Sequence, residues 1–176
     1  MRRVWIALAL TATIWAASTE KRPRRAAVKA VEVSFDQRIE RLADDPFILV
    51  GFTRGVYLEG YGAVFTAEVN LAIGPSPSPF HPVVSKEDIA RIRTKKLERF
   101  PALRQCMRDM LLNAAASLDE VPANEQIVVG VSLLYRPDED SSGMPGQILM
   151  QGTKGQLLDA KLNRIGLDGV VKVREF

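Results

Sequence analysis

Residues able to carry hydrolytic or redox chemistry are few in this chain. It holds one histidine, His81, and one cysteine, Cys106. Zinc-type hydrolysis needs a cluster of His, Cys or carboxylate ligands, and this count does not supply one. A Ser-His-Asp arrangement would have to use His81. No Gly-x-Ser-x-Gly elbow accompanies it, and Ser132 falls in the middle of the apolar run Gly130-Val-Ser-Leu-Leu. His81 stands between Phe80 and Pro82 in a Pro-rich stretch, a poor platform for a base that must be held still. Cys106 lies at the edge of an apolar helical stripe with Leu103, Met107 and Met110, which predicts a buried and inert thiol. The sharper alternative, a reactive or intermolecular thiol, draws on its neighbours Arg104 and Arg108.

The most pointed polar motif is Asp138-Glu139-Asp140-Ser141-Ser142-Gly143. Over these six residues it resembles the opening of an EF-hand-type calcium loop. That resemblance implies oxygens from Asp138, Asp140 and Ser142 on a calcium ion, with Gly143 at the sharp turn. Where that family places a bidentate Glu the chain has Leu149, so any affinity is expected to be weak, and an ordinary polar turn is the plainer reading. Gly60-Tyr61-Gly62 resembles a fragment of a dinucleotide fingerprint. Phe65 takes the third glycine's place and a strand follows, so a hairpin turn is expected. No cofactor is expected. An extracytoplasmic hydrolase would require Glu59, Asp138 and Asp140 to converge at one cleft.

The N-terminus directs the functional reading. Arg2 and Arg3 precede Val4–Ala17, which has no charge, Pro or Gly and ends in small residues. This basic, apolar, small-residue order is that of a secretory signal. Fourteen helical residues span about 21 Å, short of a hydrocarbon core of roughly 30 Å. Ala16 and Ser18 meet the preference of signal peptidase for small side chains, placing cleavage after Ser18. Residues 1–18 are thus expected to be a signal peptide, with export to the periplasm or the medium. Residues 19–26 form a basic flexible arm, and residues 27–176 a single domain. Losing Arg2 and Arg3 with no acid lowers the formal charge from +3 to +1, which removes the case for a nucleic-acid partner.

The elements follow from periodicity. Val28, Val31, Phe35, Ile39 and Leu42 recur at helical spacing over Ala27–Ala43, and Asp44-Asp45-Pro46 stops the run. Residues 47–58 and 63–73 read as paired strands about the turn at Gly60 and Gly62, with Phe65, Ala67, Val69, Leu71 and Ile73 sharing one face. Residues 74–82 form a Pro-rich surface loop. Ser85 and Asp88 mark a helix start, and Pro101 divides the following apolar pattern into helices over 86–99 and 101–119. Residues 126–136 and 147–153 predict a second hairpin. Leu157, Leu158, Leu162 and Ile165 predict a short helix, and 170–176 a last strand. The pattern predicts an α+β fold with a mainly antiparallel sheet of about five strands and helices packed between two hairpins.

These features point to an exported, non-catalytic binding or envelope-interaction module. Lys21, Arg22, Arg24 and Arg25 in the arm, the Pro-Ser-Phe loop and open sheet edges would meet a protein or an anionic envelope component. Peripheral membrane contact would run through the arm.

Overall fold

The computed structural model describes residues 23–42, 48–75, 79 and 83–176. The signal-peptide reading of residues 1–18, the arm residues Lys21 and Arg22, and His81 all lie outside the described residues. The elements run α1 (Arg25–Glu40), β1 (Ile48–Leu58), β2 (Gly62–Asn70), α2 (Lys86–Ser117), β3 (Gln126–Leu133), β4 (Gln147–Thr153), α3 (Lys154–Lys161) and β5 (Lys172–Glu175). The fold is α+β. Its five strands lie side by side in chain order.

The sheet is mixed, which corrects the expectation of a mainly antiparallel one. β1–β2, β3–β4 and β4–β5 are antiparallel, but the central pair β2–β3 is parallel, with Phe65 opposite Val129. The cause is α2. A long helix between two neighbouring strands carries the chain back to the end where the first strand began, so the second must run the same way. β3 bears the sequence mark of such a strand, the nearly unbroken run Ile127-Val128-Val129-Gly130-Val131, all buried.

The core lies between the helices and one face of the sheet. Phe65, Val69, Ile127, Val129, Val131, Ile148 and Met150 meet Phe35 and Ile39 of α1, Leu103, Met107 and Leu111 of α2, and Leu157 of α3. Val56, Thr66 and Glu68, from the alternate set, are exposed on the other face.

α2 passes unbroken through Pro101, so the expected division into two helices does not occur. An interior proline costs roughly 3 kcal/mol. Phe100 and Leu103 on either side are buried, each worth about 1.5–3 kcal/mol, so packing outweighs the lost backbone bond. At its start Ser85 Oγ accepts the Asp88 N–H at 3.0 Å, the cap the sequence announced.

β2 ends at Asn70, not residue 73, and Ile73 is exposed. The Asn70 side-chain carbonyl accepts the Ala72 N–H at 3.4 Å, which turns the chain out of the sheet. α3 ends at Lys161, leaving Leu162 and Ile165 exposed rather than on its apolar face.

The edge of β1 is not open. α1 lies along it, and Glu32 Oε1 accepts the Gly55 N–H at 2.8 Å while Asp36 Oδ1 accepts the Thr53 N–H at 2.9 Å. Arg25 Nη1 donates to the Gly55 carbonyl at 3.1 Å. Two acids one helical turn apart thus occupy donors that would otherwise template another strand. Gly55 permits the close approach. A Cβ there would lie 2.6 Å from both Phe65 Cε1 and Val28 Cγ1.

Candidate functional site

The β1–β2 turn, the C-terminus of α2, the segment leading into β3 and the first residue of α3 converge at one end of the sheet. Gly60 (φ 76°) and Gly62 (φ 135°) give the turn its left-handed backbone. Gly62 also packs on the start of β3, where a Cβ would come within 1.9 Å of the Gln126 carbonyl oxygen. Gln126 N–H donates to the Tyr61 carbonyl at 2.8 Å, locking the turn beside the next strand. A cleft of about 770 Å³ opens here, lined by Tyr57, Glu59, Asp119, Glu120, Glu125 and Lys154 among others.

Lys154 is buried and its Nζ donates to the carbonyls of Leu118 at 2.7 Å, Asp119 at 3.0 Å and Val121 at 2.6 Å. The last turn of α2 has no basic residue of its own, so Lys154 supplies from afar the cation that a helix C-terminus favours. Burial pulls its pKa down, and Asp119 and Glu120 push it back only in part. Three acceptors require three hydrogens, which only the ammonium form has. The amine is therefore a structural clamp with no lone pair to offer as a nucleophile.

Glu125 is held from both sides. Its N–H donates to the Pro122 carbonyl at 3.1 Å, and its carbonyl accepts the Lys154 N–H at 2.8 Å. Tyr57 Oη donates to Oε1 at 3.2 Å. The other carboxylate oxygen, Oε2, is buried with no hydrogen-bond partner, although Glu125 is only 7% exposed. A buried carboxylate oxygen left without a partner is costly, and the residue that carries it lines the cleft.

Of the described residues singled out from sequence, Glu59, Arg24 and the Gly60-Tyr61-Gly62 turn lie at the cleft and the others elsewhere. Glu59 lines the cleft. Asp138 and Asp140 follow the far end of β3, whose eight residues separate them from Glu59 by about 23 Å of strand. The three carboxylates do not share a cleft. Oxygens of Asp138, of Asp140 and of the Ser142 main chain are already engaged. Asp138 pairs with Arg136, Arg93 Nη1 donates to the Asp140 carbonyl at 3.1 Å, and Arg93 Nη2 donates to the Ser142 carbonyl at 2.7 Å. Asp140 Oδ1 accepts the Ser142 N–H at 3.0 Å, and Gly143 (φ 71°) makes the turn. The hydrogen bond from Arg136 holds the Asp138 carboxyl below its usual range, and bonding to Ser142 does the same for Asp140. Among the described residues no three His, Cys, Asp or Glu groups gather as metal ligands.

This loop docks on α2 through an internal ion pair. Lys96 and Glu139 form a buried salt bridge, Lys96 also donates to the Leu134 carbonyl at 3.2 Å, and its ammonium lies 4.8 Å from the centre of the Tyr135 ring. Cys106 is buried, and burial pushes its thiol up to about 11. Ser132 faces away from the core, opposite Glu68.

Of the arm residues, Arg24 precedes α1 and its Nε lies 3.8 Å from Glu120 Oε1 at the rim of the cleft. Arg25 is the first residue of α1, beside Glu32 at 3.3 Å, so the helix begins two residues earlier than the apolar spacing suggests. Among the described residues no helix is long and apolar enough to cross a membrane.

Sequence reasoning missed Lys154, Glu125 and Tyr57. Lys154 and Leu118 are 36 positions apart, and no local pattern links them. Glu125, in Pro-Ala-Asn-Glu, looks like any polar loop residue. Compared with family models, with curated proteins and with solved structures, the chain finds no match.

Proposed function

We propose that the protein is an exported, non-catalytic binding module and that the cleft between the β1–β2 turn, the α2 C-terminus and α3 is its ligand site. The observation that carries the reading is Glu125, a residue only 7% exposed that lines a cleft of about 770 Å³ and whose Oε2 is buried without a hydrogen-bond partner. Binding sites hold a few polar groups ready for a ligand, and folds otherwise satisfy such groups internally. Lys154, the one amine among the described residues that line the cleft, is committed to three carbonyls, which favours binding over covalent catalysis.

Export rests on the order Arg2-Arg3, Val4–Ala17 and Ser18. The same reading gives Lys21 and Arg22 reversible contact with an anionic envelope surface, each worth about 1 kcal/mol at low salt. N-terminal sequencing of the exported protein should begin at Thr19, and an intact Met1 in a cytoplasmic fraction would sink the export claim. The site is tested by amide chemical shifts during a screen of small molecules. Perturbations should cluster at Gly60, Glu125 and Gly155. Shifts confined to residues 138–143 would place the site elsewhere and refute the cleft.

A further inference from the structure

We infer that the cleft selects a small organic cation, a molecule carrying an ammonium or guanidinium group, and that the Glu125 carboxylate receives its N–H. This deepens the reading of the cleft as the ligand site and rests on it. Among the described residues four carboxylates line the space, from Glu59, Asp119, Glu120 and Glu125, against the amine of Lys154, with Arg24 at the rim 3.8 Å from Glu120. That amine spends its hydrogens on the carbonyls of Leu118, Asp119 and Val121, so it cannot also serve Glu125.

The chemistry of Glu125 then decides the ligand. The Tyr57 hydroxyl satisfies Oε1 but brings no charge. An ionised carboxylate taken from water needs a compensating cation as well as hydrogen bonds, because its desolvation cost exceeds what neutral donors return. An anionic ligand would meet four carboxylates, with Lys154 turned to its carbonyls and Arg24 beside Glu120. A neutral donor would bond the carboxylate and leave the charge uncompensated. A cationic N–H donor does both, through the stronger charge-assisted bond. Tyr57 adds an aromatic wall, which suits an alkylammonium. The volume matches a small organic molecule, and among the described residues no three potential ligands gather for a bare metal ion.

The test is calorimetric titration of the purified chain with 1,4-diaminobutane and agmatine, beside neutral 1,4-butanediol and anionic succinate, with amide shifts to locate the binding. Both cations should bind and move the Glu125 and Gly155 amides, while the diol and succinate should not. Glu125→Gln should weaken cation binding about tenfold or more, the size of one lost charge-assisted hydrogen bond. Glu68→Gln, on the exposed face of β2, should leave affinity unchanged. If Glu125→Gln fails to fold, Glu120→Gln at the rim should weaken binding about two- to fivefold. Cation binding undiminished by either folded cleft variant overturns the inference. Binding of the diol or succinate at the cleft without the cations overturns the charge selection and leaves the cleft as a ligand site. No shift at the cleft with any probe sinks both.

Discussion

Replacing Lys154 with Met keeps the length and apolar stem of the side chain and removes only the ammonium. Its three hydrogen bonds, at 2.7, 3.0 and 2.6 Å, would be lost together. Hydrogen bonds from a charged group contribute about 1.5–3 kcal/mol each, so the gross loss is about 4.5–9 kcal/mol. Two effects reduce it. Asp119 is exposed and its carbonyl can return to water, whereas Leu118 and Val121 are buried. Burial also lowers the pKa of the amine, so charging it inside the fold already carries a cost that Met escapes. We expect a net destabilisation of about 3 kcal/mol, equivalent to about 6–12 °C in Tm for a chain of this size. Urea unfolding followed by circular dichroism measures it, with an unchanged slope showing that the unfolded state is not altered. A loss below about 1 kcal/mol at unchanged slope would refute the clamp, because the buried Val121 carbonyl would be left without a donor and the Leu118 carbonyl with the Val121 N–H alone.

Four further outcomes follow from the geometry. Gly55→Ala should destabilise by about 1–3 kcal/mol in the same assay, since its Cβ would sit 2.6 Å from Phe65 and Val28. Burial raises the pKa of Glu32, but the Gly55 N–H, Lys29 and Arg25 outweigh it, so the folded value lies below the ordinary carboxylate value. The unfolded state then binds the proton more tightly, so the stabilisation is present above that value and fades as pH falls through the folded pKa. Glu32→Gln should flatten this acid limb of the Tm profile, and an unaltered limb would count against it. Cys106, with its thiol pushed up to about 11, exposes about one thiolate in a thousand at pH 8, so stoichiometric labelling of the native protein within minutes would contradict its burial. Calcium at about 10 mM, above the range of weak extracellular sites, should leave Tm unchanged because Arg93 and Arg136 already hold the acidic loop, and a calcium-specific rise would reverse that view.

What the sequence determined by itself was local. The spacing of Val28, Val31, Phe35 and Ile39 announces α1, the glycines at 60 and 62 announce the turn, Ser85 announces the start of α2, and the bounds of β4 match the alternation of residues 147–153. Each of these depends on residues within a turn or two of one another, where periodicity and capping act. Direction and convergence were decided only in three dimensions. The apolar run of β3 is consistent with a fully buried strand, but whether it lies parallel or antiparallel to β2 depends on where α2 returns the chain. Glu32 and Asp36 read as solvent-facing acids on a helix until β1 presents the N–H groups of Gly55 and Thr53 to them. Glu59, Glu125 and Lys154 become neighbours because the β1–β2 turn, the entry to β3 and the start of α3 all fall at one end of the sheet. The same topology sends Asp138 and Asp140 to the other end. Side-chain type says what a group can bond; only the packing of distant segments says which partner it meets and which oxygen is left without one.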